Sequence, residues 1–207
     1  MDASKLLAGS RIVPVVVLHN AEVAVPLARA LLESGLGVIE VTLRTADALQ
    51  GIEQIAKSVP EMIVGAGSVR RPEQFVECVN AGARFAVCPG YSERLLDAAA
   101  THKMPFIPGA ATASEMIALY EHGYTLQKFF PAELAGGRAY LKAVGAPLPE
   151  VRFMPTGGVS PDNVLEYLAL GNVGCVGGSW ITPPDLQSKG DFAGIQAIAR
   201  DAADLLL

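Results

Sequence analysis

The sequence predicts an α/β protein of the (β/α)8 TIM-barrel class, folded as a single domain over residues 1–207 with a short N-terminal helix. Short β-branched apolar runs alternate with longer amphipathic runs, at a spacing of about 22 to 25 residues. No linker interrupts this alternation, and successive βα units within one domain favour a parallel barrel. An open doubly wound sheet is the alternative, although no Gly-x-Gly-x-x-Gly turn follows the first predicted strand.

The predicted elements follow the chain in strict alternation. The apolar runs predict eight strands over 12–18, 37–43, 62–67, 84–88, 105–108, 125–130, 151–155 and 173–176. The amphipathic runs predict eight helices over 21–34, 46–58, 72–81, 92–101, 113–122, 138–144, 161–170 and 192–206. Because a barrel of this class typically needs about 250 residues, the loops must be short.

The charge and hydropathy of the chain argue against two classes of partner. The formal net charge of -5 provides no basic face for nucleic acid. No apolar stretch reaches the length of about 18 residues that could span a bilayer. The N-terminus also lacks the long apolar core of a signal peptide. We therefore expect a cytoplasmic protein that binds neither nucleic acid nor membrane.

The cysteines and histidines indicate neither disulfides nor a metal site. The cysteines are odd in number and lack a Cys-x-x-Cys pair, which is typical of reduced, small apolar residues: Cys78, Cys88 and Cys175. The histidines have no His or Glu partner at the helical spacing of a zinc site: His19, His102 and His122. Neither a metal nor a cofactor is predicted.

A lysine within an apolar strand points most directly to chemistry. Lys128 lies in the apolar run 124–131, where desolvation of an ammonium group is unfavourable unless the group gains a partner or loses its proton. A lysine neutralised by burial is a nucleophile that forms imines with ketones. The alternatives are a snorkelling lysine at a strand end or one half of a structural ion pair.

The second predicted strand places three polar side chains on one face. Glu40, Thr42 and Arg44 alternate with apolar residues, so the period-two geometry of a strand directs all three into the barrel. Arg44 lies at the exit of the strand, where its guanidinium could hold a carboxylate substrate, and Glu40 lies deeper, where a proton-transfer group is needed. The alternative is an internal salt bridge between Glu40 and Arg44 that only stabilises the barrel.

The last two predicted strands end in glycine-rich turns that could bind phosphate. Loops after strands seven and eight form the usual phosphate site of a TIM barrel, because their backbone N–H groups can approach an anion closely. The residues that fit this site are Gly157, Gly158, Gly178 and Ser179. Tight βα turns also need glycine, which leaves a purely conformational role open, as it does for the turn 65–68.

Six segments, in order along nearly the whole chain, carry a resemblance to a known family. They are Glu40-Val-Thr-Leu-Arg-Thr45, Gly65-Ala-Gly-Ser-Val69, Cys88-Pro-Gly90, Lys128-Phe-Phe-Pro-Ala-Glu133, Pro155-Thr-Gly-Gly158 and Gly177-Gly-Ser-Trp180. These segments resemble those of the class I 2-keto-3-deoxy-6-phosphogluconate (KDPG) aldolases, which also act as 4-hydroxy-2-oxoglutarate (KHG) aldolases. Two positions depart from the family, since Ser68 and Cys88 stand where Thr and Ser are common. The departure at Ser68 bears on substrate preference.

The resemblance implies a role for each matched residue. Lys128 would be the Schiff-base lysine, Glu40 the general acid/base and Arg44 the carboxylate anchor. The other residues expected to bind the substrate, in addition to the four phosphate-loop residues, are Thr42, Ser68, Pro89, Phe130 and Thr156. The family resemblance also implies a homotrimer.

The reaction implied is cleavage of KDPG to pyruvate and glyceraldehyde 3-phosphate through an imine on Lys128. A second reaction would cleave 4-hydroxy-2-oxoglutarate to pyruvate and glyoxylate. No cofactor is required, because the protonated imine itself is the electron sink. Three alternatives remain open: an aldolase for the galactonate epimer, a phosphosugar isomerase or epimerase in which Lys128 is only an electrostatic partner, and a non-catalytic barrel that binds a phosphorylated ligand.

Overall fold

A computed structural model describes residues 3–206 and gives an α/β fold built on parallel strands. The strands are β1 (Ile12–Val16), β2 (Val38–Thr42), β3 (Ile63–Gly67), β4 (Phe85–Val87), β5 (Phe106–Ile107), β6 (Gly109–Ala110), β7 (Leu126–Phe129), β8 (Arg152–Pro155) and β9 (Val176–Gly178). The helices are α1 (Ala24–Glu33), α2 (Ala48–Ser58), α3 (Glu73–Asn80), α4 (Glu93–Thr101), α5 (Ala113–Glu121), α6 (Gly137–Gly145), α7 (Val164–Leu168), α8 (Pro184–Lys189) and α9 (Phe192–Asp204), with a 3-10 helix at Ala21–Val23.

The strands form two parallel sheets within residues 3–206. One is six-stranded, in the order β5-β4-β3-β2-β1-β9, and the other is three-stranded, in the order β6-β7-β8. Glu40 of β2 lies between Val15 of β1 and Gly65 of β3. Because every pair is parallel, the carboxyl ends of neighbouring strands meet at the same edge, where α/β proteins place their sites.

Pro108, the last residue of the fifth predicted strand (105–108), separates two short strands, of which β5 lies within the predicted bounds and β6 lies beyond them. Pro108 has no N–H to donate to a ladder, so β5 pairs with β4 and β6 pairs with β7 on the other side. The backbone N–H of Lys128 donates to the carbonyl of Pro108 at 2.8 Å. This hydrogen bond connects β7 to the break between the two sheets.

The chain around β8 and the chain around β9 pair through isolated bridges and not through a continuous ladder. Phe153 pairs with Val173 and Thr156 pairs with Gly177, both in parallel orientation. The N–H of Gly174 donates to the carbonyl of Phe153 at 2.9 Å. These bridges bring the carboxyl ends of β8 and β9 side by side.

The two faces of β2 have different neighbours, as the alternation in the sequence predicted. Ile39 and Val41 belong to the large core cluster that includes the helix side chains, whereas Val38 belongs to a smaller cluster supplied mainly by the strands. Glu40 and Thr42 are fully buried and share the period-two face of Val38. The two polar side chains therefore point away from the helices.

The N-terminal segment forms turns instead of the predicted short helix. Leu7 donates its N–H to the carbonyl of Ala3 at 3.1 Å, but residues 4–9 are turns throughout. A single turn has too few hydrogen bonds to propagate a helix, and Gly9, with φ 93°, follows at once. Ala3 and Leu7 are nevertheless buried against the smaller cluster.

The cysteines are free and buried, which confirms their interpretation as small apolar residues. Burial raises the pKa of both Cys78 and Cys175 to about 12. These thiols are therefore protonated at neutral pH and unreactive, because only the thiolate is a nucleophile. Within residues 3–206, no helix combines the length and the apolar character needed to cross a bilayer.

Candidate active site

A buried ion pair joins two strands that lie far apart in the sequence. Lys128 of β7 is 3% exposed, and its Nζ lies 3.3 Å from Oε1 of Glu40 on β2. The Glu40 side chain is completely buried. Removing a charged group from water is unfavourable unless an opposite charge lies beside it. The ion pair therefore explains how both charged side chains can be buried. The lysine therefore does not snorkel to solvent.

Two glycines on β3 leave room for neighbouring side chains, one of which is the Glu40 carboxylate. A Cβ on Gly67 would lie 2.1 Å from Oε1 of Glu40, and one on Gly65 would lie 2.3 Å from the ring of Phe85. Both glycines are thus required by packing, and Gly67 is required specifically by the carboxylate. Within the described chain, Glu40 Oε2 has no hydrogen-bond partner although it is buried. A substrate group or water could use this free acceptor.

The other two polar residues of the second strand take different positions. Thr42 is fully buried, and its hydroxyl donates to the carbonyl of Val16 at 2.9 Å. Arg44 is exposed at the strand exit, and its Nε donates to Oγ of Ser68 at 2.9 Å. Glu40 pairs with Lys128 and not with Arg44, so the alternative of an internal salt bridge between Glu40 and Arg44 is wrong.

A pocket of about 360 Å³ opens at the carboxyl ends of these strands. It is lined by Arg44, Ser68, Arg70, Pro89 and Phe130. Four of these residues were predicted from the sequence to bind substrate. Arg70 was not, although the Arg70-Arg71 pair directly after the third strand is a visible signal of a cationic strand end.

Aromatic and hydroxyl groups surround the lysine. The Nζ of Lys128 lies 5.5 Å from the centre of the Phe130 ring, within the range of a cation–π contact. Thr156 is buried at the end of β8, and a Cβ on Gly177 would lie 2.3 Å from its Oγ1. Gly177 therefore lets the last strand approach Thr156 closely.

The predicted phosphate loops lie next to each other. Gly157 and Gly158 have φ angles of 96° and 85°, which only glycine adopts readily. Ser179 is exposed directly after β9, beside the bridge that joins Thr156 to Gly177. Within residues 3–206, the backbone N–H groups of Gly158 and Ser179 donate no hydrogen bond to the protein. The structure thus brings together backbone N–H groups that could donate hydrogen bonds to a bound anion.

A polar network that was not predicted holds the first of these loops. Glu133 donates its N–H to the carbonyl of Gly157 at 3.1 Å, and Asn163 Nδ2 donates to the carbonyl of Gly158 at 2.9 Å. The Tyr167 hydroxyl donates to the Glu133 carboxylate, and burial raises the pKa of this tyrosine. Because Glu133 is part of the Lys-Phe-Phe-Pro-Ala-Glu run, one sequence motif supplies both the lysine and a support of the loop.

Metal ligands are not grouped in the described part of the chain. No cluster of three or more His, Cys, Asp or Glu side chains there could hold an ion. The chemistry that the site itself offers is an amine beside a carboxylate, with guanidinium groups at one side and backbone donors at the other.

Known proteins share this sequence over nearly its whole length. Residues 4–198 match the family model of the KDPG and KHG aldolases. The chain is 48% identical over 203 residues to the KHG/KDPG aldolase of Escherichia coli, covering 98% of this chain and 95% of that protein. It is 47% identical over 201 residues to the 2-dehydro-3-deoxy-phosphogluconate aldolase of Dickeya dadantii, covering 97% and 94%.

A solved structure supports the same relationship at the level of the fold. The KDPG aldolase of Legionella pneumophila superposes with a TM-score of 0.93 at 42% identity, covering 97% of each chain. That crystal structure contains pyruvate captured at low pH as a covalent carbinolamine intermediate. The resemblance of the six sequence segments is confirmed, and this chain belongs to the KDPG and KHG aldolase family.

Proposed function

We propose that this protein is a class I aldolase that cleaves KDPG reversibly to pyruvate and glyceraldehyde 3-phosphate. It would also cleave 4-hydroxy-2-oxoglutarate to pyruvate and glyoxylate, which the name of the Escherichia coli relative supports. The observation that carries the proposal is the buried contact of 3.3 Å between Lys128 Nζ and Glu40. An amine beside a carboxylate at the carboxyl end of a strand is what imine chemistry requires.

Lys128 begins the reaction as the nucleophile. Glu40 accepts a proton from the ammonium group, and the neutral amine attacks the C2 ketone of the substrate to form a carbinolamine. Glu40 returns this proton to the departing hydroxyl of the carbinolamine, so that loss of water gives a protonated imine and restores the Glu40 carboxylate. The protonated imine withdraws electrons from the C3–C4 bond. The carbinolamine of pyruvate in the Legionella pneumophila relative supports this first step.

Glu40 then acts as the base for bond cleavage. Its carboxylate, directly or through a water, removes the proton of the C4 hydroxyl, the C3–C4 bond breaks and the aldehyde leaves. The electron pair of the bond stays with the imine as an enamine of pyruvate. Protonation at C3 and hydrolysis of the imine release pyruvate and restore Lys128. The free Oε2 of Glu40 supports this role, because it lies buried without a partner in the described chain.

Binding groups at the two ends of the substrate hold the reacting carbons at Lys128. Arg44 and Ser68 would bind the carboxylate, with Pro89 and Phe130 against the pyruvyl carbons. Thr156 would line the pocket beside the lysine, and Thr42, whose hydroxyl donates to a backbone carbonyl, would shape its floor. The distal phosphate would bind at the loops of Gly157, Gly158, Gly178 and Ser179. Binding at both ends holds the C2 ketone beside the Lys128 amine and the C4 hydroxyl beside the Glu40 carboxylate, in the geometry that the reaction needs.

We also infer that the two sheets are parts of one closed (β/α)8 barrel. The hydrogen bond from Lys128 to Pro108 joins the sheets on one side, and the bridge from Thr156 to Gly177 joins them on the other. The pairing of Lys128 with Glu40, from different sheets, supports closure as well. An experimental structure in which β8 and β9 separate would contradict it.

A homotrimer is the assembly that we propose. Apolar side chains on two helices support a self-association surface, with exposed fractions of 41% and 43% for Val76 and Val79 on α3 and 45% for Ile117 on α5. Sedimentation equilibrium should then give the mass of three chains. A monomer mass at micromolar concentration would contradict the proposal.

The three free cysteines support a reducing compartment, the cytoplasm.

The phosphate loops can be tested by placing a negative charge in them. Ser179→Asp should reduce kcat/KM for KDPG roughly ten- to hundredfold, because a hydrogen bond to a charged group is lost and repulsion is added. The value for 4-hydroxy-2-oxoglutarate, which has no phosphate, should change much less. The ratio of the two values isolates the phosphate contribution, since both substrates react at Lys128.

A matched charge elsewhere controls for a general electrostatic effect. Ser58 is exposed at the end of α2, just before β3 begins, and therefore lies at the opposite edge of the sheet. Ser58→Asp should leave both kcat/KM values within about twofold of the parent, because an exposed charge at that distance is screened. If Ser179→Asp lowers kcat/KM for both substrates by the same factor while the protein stays folded, the phosphate is held elsewhere.

A further inference from the structure

We propose that Arg70 is a second binding residue for the substrate carboxylate and forms a guanidinium pair with Arg44. The inference deepens the proposed function and rests on it, because it assigns the pocket of Arg44 and Ser68 to the carboxylate of a 2-oxo acid. With this pair, binding of pyruvate and of the 2-oxo acid substrates that yield it would depend on two cations instead of one.

The first observation is that both guanidinium-bearing residues line the same pocket. Arg44 follows β2, Arg70 follows the neighbouring strand β3, and Ser68 belongs to the same lining. The Ser68 hydroxyl accepts the Nε–H of Arg44 at 2.9 Å. That contact uses one of five donors of the Arg44 guanidinium and leaves its terminal nitrogens for a ligand.

The second observation is that neither arginine has a carboxylate partner in the described chain. Arg44 and Arg70 take part in none of the ion pairs between residues 3 and 206. Two like charges at one pocket repel each other, which is unfavourable unless an anion is bound between them. A planar carboxylate matches the fork of donors that each guanidinium presents.

The third observation is that the backbone of the Arg70 loop is fixed. Gln74 is 5% exposed, and its Oε1 accepts the N–H of Arg70 at 2.7 Å and that of Arg71 at 3.0 Å. A buried amide thus fixes the point from which each arginine side chain starts. Only Arg70 reaches the pocket lining, whereas Arg71, although equally anchored, does not line it.

The charge of Arg70 also acts on a buried thiol next to the pocket lining in the sequence. Burial raises the pKa of the Cys88 thiol, and the Gly90 backbone, Lys128 and Arg70 act against that rise. Cys88 directly precedes Pro89 of the lining. Arg70 and the reactive lysine therefore act electrostatically on the same buried atom, as expected if both face the bound 2-oxo acid.

The position of Arg70 assigns it to the carboxylate end of the substrate and not to the phosphate. In the sheet order β3-β2-β1-β9, the strand that precedes Arg70 lies three positions from the strand that precedes Ser179. Three strand spacings correspond to roughly 14 Å along the sheet. Arg44, by contrast, follows the adjacent strand, so one carboxylate can contact both arginines.

The test uses pyruvate itself as the probe. The imine between Lys128 and pyruvate is reduced with borohydride at increasing pyruvate concentrations, and the half-saturating concentration of pyruvate is measured for the parent, Arg70→Leu and Arg70→Lys. Arg70→Leu should raise this concentration about tenfold, since a charged hydrogen bond is lost. The limiting rate of trapping should stay within about twofold, because Arg70 does not touch the reacting carbon. Arg70→Lys should recover part of the loss.

Arg71→Leu is the matched control. It removes the same charge one residue away, from a side chain outside the lining, and should change half-saturation by less than about twofold at physiological ionic strength. Equal shifts for Arg70→Leu and Arg71→Leu would show a diffuse field instead of a contact and overturn the inference. An unchanged value for Arg70→Leu would overturn it as well.

Arg44→Leu and the double variant separate this inference from the proposed function. The double variant carries Arg44→Leu and Arg70→Leu. If the two arginines hold one carboxylate, its half-saturating pyruvate concentration should differ by more than about twofold from the value that multiplying the two single effects gives. A multiplicative result would place them on separate groups and overturn the pair. If Arg44→Leu itself leaves pyruvate binding unchanged, the carboxylate assignment of the pocket fails first.

Discussion

Lys128→Arg should abolish aldol cleavage and covalent trapping together. The guanidinium remains protonated at any accessible pH and cannot attack a ketone, whereas its charge can still lie beside Glu40. We expect kcat/KM for KDPG to fall at least about a thousandfold, since no imine can form. The measurement is turnover with coupled detection of pyruvate, together with mass spectrometry after treatment with pyruvate and borohydride.

A second lysine provides the control for trapping. Lys142 lies on α6, which contains none of the predicted site residues. The Lys142→Arg variant should therefore be labelled at Lys128, as the parent is. In the parent, the reduced pyruvyl group should be found on the peptide that contains Lys128. A pyruvyl group on another lysine, or turnover by Lys128→Arg near the parent rate, would exclude the imine mechanism at Lys128. Lys128 would then be only an electrostatic partner in the site.

The lysine and the second strand could be predicted because their signals are local. A charged residue in an apolar run is unfavourable to bury in any fold, which marks Lys128 as unusual. The period of two in a strand places Glu40 and Thr42 on the same face. Both predictions needed only residues that are neighbours in sequence. The partner of Lys128 could not be predicted in this way, because 88 residues separate it from Glu40. The alternative of an internal ion pair was therefore considered only with Arg44, the cation nearest to Glu40 in sequence.

Features that depend on the meeting of distant loops were missed for the same reason. Arg70 becomes part of the pocket only because β3 lies beside β2, and Tyr167 supports Glu133 across the gap between α7 and the loop after β7. The split of the fifth strand had a local cause, Pro108, but its outcome depends on which neighbours each half pairs with. Helix α8 begins at the second of two consecutive prolines, a position typical of a helix start, yet its six residues are too few for a periodic pattern.

Glu40→Gln should slow the proton transfers of the reaction, including deprotonation of Lys128, while binding of pyruvate is retained. The amide has nearly the shape of the carboxylate and can still accept a hydrogen bond from Lys128, but it cannot take a proton. Loss of a positioned general base typically lowers kcat by about 10² to 10⁴, and we expect KDPG cleavage to fall within this range. Half-saturation by pyruvate in borohydride trapping should change little, because the carboxylate anchor at Arg44 is untouched.

Exchange of the pyruvate methyl protons provides a measurement that needs neither phosphate nor aldehyde. In D2O the parent should exchange these protons through the imine and the enamine, and proton NMR follows the loss of the methyl signal. Glu40→Gln should slow this exchange about a hundredfold or more, since removal of the C3 proton requires a base.

The opposing hypothesis is that Glu40 only neutralises Lys128 within the fold. Breaking a buried ion pair costs about 3 to 5 kcal/mol, so in that case Glu40→Gln would chiefly lower the free energy of unfolding. Gly67→Ala provides an independent displacement of the same group, because the added Cβ would lie 2.1 Å from Glu40 Oε1 and must move the carboxylate. If Glu40 is the base, both variants slow methyl exchange in protein that circular dichroism shows to be folded. Exchange at the parent rate in folded Glu40→Gln would leave the carboxylate with a structural role alone.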